Sequence, residues 1–220
     1  MEDKRFLDSS FSKAGPAIEI NKVLKNTYLL LGMTLLFSAV CAGISIAVGI
    51  GQGAGLLMML AALGSLFAVH KTADSSKGLI WTFVFTGLMG ASLGPMLSYY
   101  LAVSPEIVAQ ALGGTAFIFF ALSGYALVSR KDFSFMGGFL FVGLLVMLFA
   151  GIANIFLQMP ALHIAMSAAG ILIGSGLILF DTSRIILGGE TNYIRATVAL
   201  YMDIYYVFVH LLSLLGIMDD

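Results

Sequence analysis

The sequence predicts an all-α polytopic membrane protein with seven transmembrane helices. Three observations carry that expectation. Hydrophobic residues make up 60% of the 220 residues and charged residues only 10%, against about 25% charged in a soluble domain. The apolar residues fall into seven runs, each near the roughly 20 residues that cross a bilayer as a helix. The basic residues fall between those runs with a strict alternation.

Residues 1–25 are polar, mixed in charge and contain Gly15–Pro16, and they read as a flexible cytoplasmic tail. A single seven-helix domain follows over 26–218. Its spans cover about 27–48, 54–70, 78–101, 107–128, 135–157, 161–183 and 195–217. The second run is close to the minimum for spanning. In the third, Pro95 removes one backbone donor and predicts a kink. Trp81 and Tyr99–Tyr100 stand near the two ends of that span, where interfacial aromatics belong. Gly90 with Gly94, and Gly170 with Gly174, form small-residue pairs that let helices approach closely. The last run holds Asp203 and His210 and is the least apolar. A six-span alternative makes it a re-entrant segment.

The loops fix an orientation. With the tail in the cytoplasm, the tail and the loops after spans two, four and six hold all 11 lysines and arginines. The opposite loops, GIGQGAG, AVSPE and QMPAL, hold none. The positive-inside rule then places the N-terminus inside and the C-terminus outside, as an odd number of spans requires. Cys41 is the single cysteine, so no intrachain disulfide forms. No metal-ligand spacing, phosphate loop or nucleic-acid patch is present. The lipid bilayer is the first partner, and no cofactor and no nucleic acid are expected.

Two residues are out of keeping with this composition. Asp181 lies in ILIGSGLILFDTSRII and Asp203 in IRATVALYMDIYYVFVHLL. An aspartate at the centre of a span costs about 2.5–3.5 kcal/mol even on the lenient insertion scale. Each lies six to eight residues from the cytoplasmic end of its helix, hence roughly 9–12 Å deep. Spans six and seven are antiparallel neighbours, so the two carboxyls can meet. Such a pair shares a proton in a low dielectric and forms a pH-sensitive latch. Deprotonated, it is a candidate Ca2+ or other cation site. The competing reading pairs Asp181 with Arg184 one turn later. His210, seven residues beyond Asp203, shares its helical face as a candidate proton relay or a hydrogen-bonded core histidine. Asn154, Gln158 and His163 gather at the outer ends of spans five and six, where they satisfy one another or cap helices. Gly90-Ala-Ser-Leu-Gly94 fits the nucleophile-elbow pattern but lacks its strand–turn–helix context. Two aspartates on consecutive spans also raise an intramembrane aspartyl protease. The glycine-rich motif such enzymes carry at the second aspartate is replaced here by Leu-Tyr-Met-Asp203.

At FDTSRIILGGETNYIRATVALYMDIYYVFVHLLSLLGI the chain resembles the C-terminal signature of the Bax-inhibitor family, the transmembrane Bax inhibitor motif proteins. Further matches are NKVLKNTYLLLGMTLLFSA, FVFTGLMGASLGPMLSYYL, ALGGTAFIFFALSGYALVSRKDFSFMGGFL and ANIFLQMPALHIAMSA, so the likeness covers nearly the whole chain. It is greatest to the proteobacterial inner-membrane branch. The resemblance implies six spans around a central C-terminal seventh, with a cytoplasmic N-terminus and a periplasmic C-terminus. For this branch it implies regulation of the membrane AAA protease FtsH, not an enzymatic activity of its own. For the family's channel-forming members it implies a pH-sensitive calcium-leak gate, with Asp181 and Asp203 on the gating positions. Those members latch the first aspartate with an arginine at the end of span two. Here that stretch reads FAVHKTADSSK, so His70 or Lys71 is the nearest substitute. They also carry an acidic residue within span two, and GLLMMLAALGSLF has none.

Overall fold

The structure is a computed structural model that describes residues 3–219, with side chains from residue 19 onward. Among the described residues there is no β-strand. The helices are α1 (Asp3–Val48), α2 (Gln52–Thr72), α3 (Ser76–Ser92), α4 (Gly94–Val103), α5 (Pro105–Ser129), α6 (Gly137–Leu157), α7 (Pro160–Ile186) and α8 (Tyr193–Asp219), with a 3-10 turn at Ser134–Met136 before α6. Seven segments are long and apolar enough to cross a bilayer: Glu19–Val48, Gln52–Thr72, Ser76–Val103, Pro105–Ser129, Ser134–Leu157, Pro160–Ile186 and Tyr193–Asp219. Each expected span lies inside one of them. Of the tail expected over 1–25, residues 1–18 lie outside the described side chains, and 19–25 belong to α1.

The last run is a continuous helix of 27 residues, not a re-entrant loop. Its polarity follows from where it sits. In its most apolar window 44% of residues are buried, against 11% for the span holding α6. α8 packs on α1, α2, α3, α5 and α7, whereas α6 packs chiefly on α7. α6 therefore turns Phe139, Phe141, Phe149, Ile155 and Phe156 outward, which is stable only against lipid. The core around α8 gathers Leu31, Val69, Phe85, Leu200, Tyr201 and Val207.

The third span breaks where Pro95 predicts. α3 ends at Ser92 and α4 starts at Gly94. Proline at 95 has no N–H for the carbonyl of Ala91, four residues earlier. Ser45 of α1 supplies the missing donor: its Oγ donates to the Ala91 carbonyl at 2.7 Å. Inside a bilayer a backbone carbonyl freed by proline is re-satisfied by a side chain of a neighbouring helix, as here. Gly94 has no Cβ, which lets Ser45 come this close. Gly90 receives Ser38 in the same way.

Both sharp turns use a left-handed glycine. After α1, Gly49 (φ 71°) sends its N–H to Ile46 and Ile50 bonds Ser45. After α7, Gly188 (φ 77°) bonds Ile185, and Gly189 bonds the Arg184 carbonyl at 2.8 Å. These are Schellman closures. The second reverses the chain within six residues and lays α8 antiparallel on α7.

Candidate functional site

α7 and α8 are brought together by two glycines on α7. Gly170 faces the ring of His210, and Gly174 faces Val207; a Cβ at Gly174 meets Val207 Cγ2 at 2.6 Å. The register of these contacts puts Asp181 and Asp203 within about one helical turn of each other along the seam. Asp203 is 4% exposed. It lies near enough to Asp181 for the two carboxyls to act on each other electrostatically. Two carboxylates have only acceptors between them, so a hydrogen bond joins them only when one carries a proton. Among the described residues no N–H or hydroxyl donates to Asp203 Oδ2.

Arg184 sits over the pair from the loop side. Its Nη1 donates to Asp181 Oδ1 at 3.4 Å, and its guanidinium stands 5.5 Å from the Phe180 ring. The charged groups acting on Asp181 are Arg184, Asp203 and Glu190. Of the two readings of Asp181, the Arg184 contact is present at 3.4 Å, and the buried Asp203 is near enough to act on the same carboxyl.

The other sequence-derived candidates lie elsewhere. His70 is exposed and bonds the Leu66 carbonyl through Nδ1 at 2.9 Å. Lys71 is also exposed, and neither acts on Asp181. His210 lies two helical turns from Asp203, about 10 Å along the axis. Its ring packs edge-on against Tyr206 with centroids 4.4 Å apart. Asn154, Gln158 and His163 do not satisfy one another as a cluster. Asn154 Oδ1 accepts the Met159 N–H, and Gln158 closes α6 in the left-handed region at φ 49°. His163 reaches across to α8 and shares a hydrogen bond with Ser213 at 2.8 Å. Ser92 of the elbow-like motif is helical and donates to its own Met89 carbonyl at 2.7 Å.

Two networks beside the pair have no strong signal in the sequence. Tyr28 of α1 hydrogen-bonds Ser123 of α5, which also accepts from Thr182, the neighbour of Asp181. Asn192 caps α8, its Oδ1 accepting from Ile194 and Arg195, while Nδ2 donates to the Ala73 carbonyl at 3.0 Å and Asp74 Oδ1 at 2.8 Å. Arg195 adds ion pairs to Glu190 at 3.4 Å and Asp74 at 3.8 Å. Asparagine at an N-cap is legible from sequence; its second role, tying the loop after α2 to the loop after α7, is tertiary.

Residues 20–220 match the family model described as inhibitor of apoptosis-promoting Bax1. The chain belongs to the Bax inhibitor family. Relatives agree over nearly full length. An uncharacterised membrane protein of Vibrio cholerae is 53% identical over 206 residues, 92% of each chain. The Escherichia coli (strain K12) protein named modulator of FtsH protease YccA is 50% identical over 213 residues, 96% of this chain and 97% of its own. An uncharacterised protein of Pseudomonas aeruginosa is 41% identical over 201 residues, 90% of each chain.

Proposed function

We propose that this chain is a non-catalytic regulatory protein of the bacterial inner membrane that binds and modulates an FtsH-type membrane AAA protease. The observation that carries this reading is the 50% identity, over 96% of the chain, to the Escherichia coli protein of that name. The charge pattern supports a cytoplasmic N-terminus and a periplasmic C-terminus, because all 11 basic residues fall on one side of the seven spans. That puts residues 1–25 on the side where a cytoplasmic ATPase ring can engage them. Co-purification of the full chain with the protease, and slower or faster turnover of its membrane substrates on overexpression, is the expected result. No association and unchanged turnover would overturn it.

The carboxyl pair supports a role for protonation within the same protein. Asp181 and Asp203 form a latch between α7 and α8 that is closed while one proton lies between them. Raising pH removes that proton, puts two like charges in contact and favours separation of the helices. The donor set suits a proton better than a resident Ca2+. Two carboxylates offer at most four oxygens, one of which Arg184 already engages, whereas Ca2+ takes 6–8. In liposomes, cation flux through the full chain that changes with pH and loses that dependence in Asp203→Asn supports the latch as a gate. Flux indifferent to both aspartates removes it. No cleavage of membrane substrates by the purified chain is expected, with or without the aspartates.

A further inference from the structure

Close packing pairs α1 with α3, α4, α7 and α8, and pairs α5 with α4, α7 and α8, while α1 and α5 meet at Tyr28, which contacts Phe119 and Ser123. Between them lies a cavity of about 570 Å3, walled by α1 from Tyr28 to Ile46 and by α5 from Val108 to Phe120, and floored by α8 at Tyr201, Ile204 and Phe208. The nineteen residues of α1 from Tyr28 to Ile46 make this groove about 27 Å long, nearly the hydrocarbon thickness of about 30 Å. Its length and its apolar lining suit a hydrocarbon chain.

Its wall is dry. Most hydroxyls that border it are turned into bonds with one another: Tyr28 with Ser123, Ser38 with Tyr201 at 2.6 Å, Tyr205 with Ser92 at 3.3 Å. That leaves an apolar lining, poorly suited to water or ions. Charge at the two ends differs. Lys25 continues the groove-facing stripe of α1, in which Tyr28, Leu31, Leu35, Ser38, Ala42 and Ile46 follow at three- and four-residue spacing. Arg130 follows the last residue of α5, at the same end of the groove as Lys25. Both are exposed, and neither is in an ion pair among the described residues. The opposite mouth, near Leu101 and Val108, has Glu106 as its charged neighbour on α5.

We infer that the α1–α5 groove is a binding site for one anionic phospholipid, its acyl chain lying in the groove and its phosphate held between Lys25 and Arg130. The chain enters from the side, below the contact of Tyr28 with Phe119, whose ring centroids are 6.2 Å apart. It fills the half of the groove nearest the basic mouth, and the far half meets the hydrocarbon of the other leaflet.

Native mass spectrometry of the full chain tests this, with phosphatidylglycerol and phosphatidylcholine of identical acyl chains as probes. Phosphatidylglycerol is expected to be retained preferentially. Lys25→Gln and Arg130→Gln should each weaken its retention about fivefold, from the attraction one basic residue exerts on an anionic lipid, and leave phosphatidylcholine unchanged. Gly32→Phe should remove retention of both lipids. A Cβ at Gly32 meets nothing within 4 Å, so the ring enters the groove without distorting α1. A photo-crosslinker at Phe120 on the rim should capture lipid in native membranes. Equal retention of the two lipids by the unmodified chain, full retention in Gly32→Phe, or capture of a polypeptide at Phe120 would overturn the assignment.

Discussion

Replacing Gly174 by alanine asks whether the α7–α8 seam holds the carboxyl pair together. A Cβ there lies 2.6 Å from Val207 Cγ2 and 3.2 Å from Tyr206 Cδ1. Carbon atoms pack best at about 3.5–4.0 Å, so the shortfall is about 1 Å. Val207 is β-branched and has one strongly preferred helical rotamer, so it cannot swing clear. The helices must part instead, at the cost of overpacking a fitted seam, about 1–3 kcal/mol. An O–H···O bond spans only about 2.5–3.0 Å and does not stretch by that amount. Asp203 is one turn from Val207, so the parting reaches the pair. Gly113→Ala is the control: its Cβ meets nothing within 4 Å, and it should gain up to about 0.5–1 kcal/mol of helix propensity. Reversible unfolding of each variant in mixed micelles, followed by circular dichroism across pH, reads both effects. Gly174→Ala should lose about 1–3 kcal/mol and flatten the pH dependence. If Gly174→Ala matches Gly113→Ala in stability and pH response, the seam does not position the aspartates.

Other expectations follow from the same contacts. Ser45→Ala removes the side-chain donor to the Ala91 carbonyl; the loss should be about 0.6 kcal/mol, the average for side-chain hydrogen bonds between membrane helices, and at most about 1.7 kcal/mol, and unchanged stability in micelles would refute it. Asn192→Ala removes the α8 cap and both bonds to the loop after α2. A loss of about 1 kcal/mol or more and faster amide exchange at Ala73–Ser75 are expected, and exchange confined to α8 would show that the loops are not tied. Asp132, in the loop before α6, accepts the Ser134 N–H at 2.8 Å, and hydrogen bonds from the Ser134 side chain and backbone hold its carboxyl below the usual carboxylate range. A lowered value favours the folded turn above the ordinary range. Protection of the Ser134 amide should therefore be full at neutral pH and lost in acid, with no such acid step in Asp132→Ala.

What the sequence discloses is set by which forces act locally. Hydropathy places the seven spans because each helix must be apolar over its own length, and Pro95 breaks the third because its missing N–H is a local defect. Basic residues alternate because orientation is decided loop by loop. Asp181 and Asp203 stand out by cost alone, and the short α7–α8 connection is enough to make them neighbours. Partner choice is another matter. Ser45 reads as one more small residue until Ala91 of another helix proves to need its proton. Tyr28, Ser123 and Thr182 are ordinary hydroxyl residues on three separate helices. His163 has acceptable companions in Asn154 and Gln158, yet it bonds Ser213 because α7 and α8 pack there. At the end of α2 the sequence offers His70 and Lys71, yet the basic side chain that contacts Asp181 is Arg184, within α7 itself. The gap between α1 and α5 has no signature, because a groove is the absence of packing between segments that are each plausible spans.

The bridging proton is the central claim, and infrared spectroscopy of the carboxyl groups tests it most directly. In hydrated films of the full chain near neutral pH, a C=O stretch from a protonated carboxylic acid should be present. It should shift on hydrogen–deuterium exchange and vanish on raising pH. Asp203→Asn and Asp181→Asn should each remove or displace that band, while Glu106→Gln should leave it intact. A chain with no protonated carboxyl band at neutral pH, or a band untouched by both aspartate substitutions, would contradict the account.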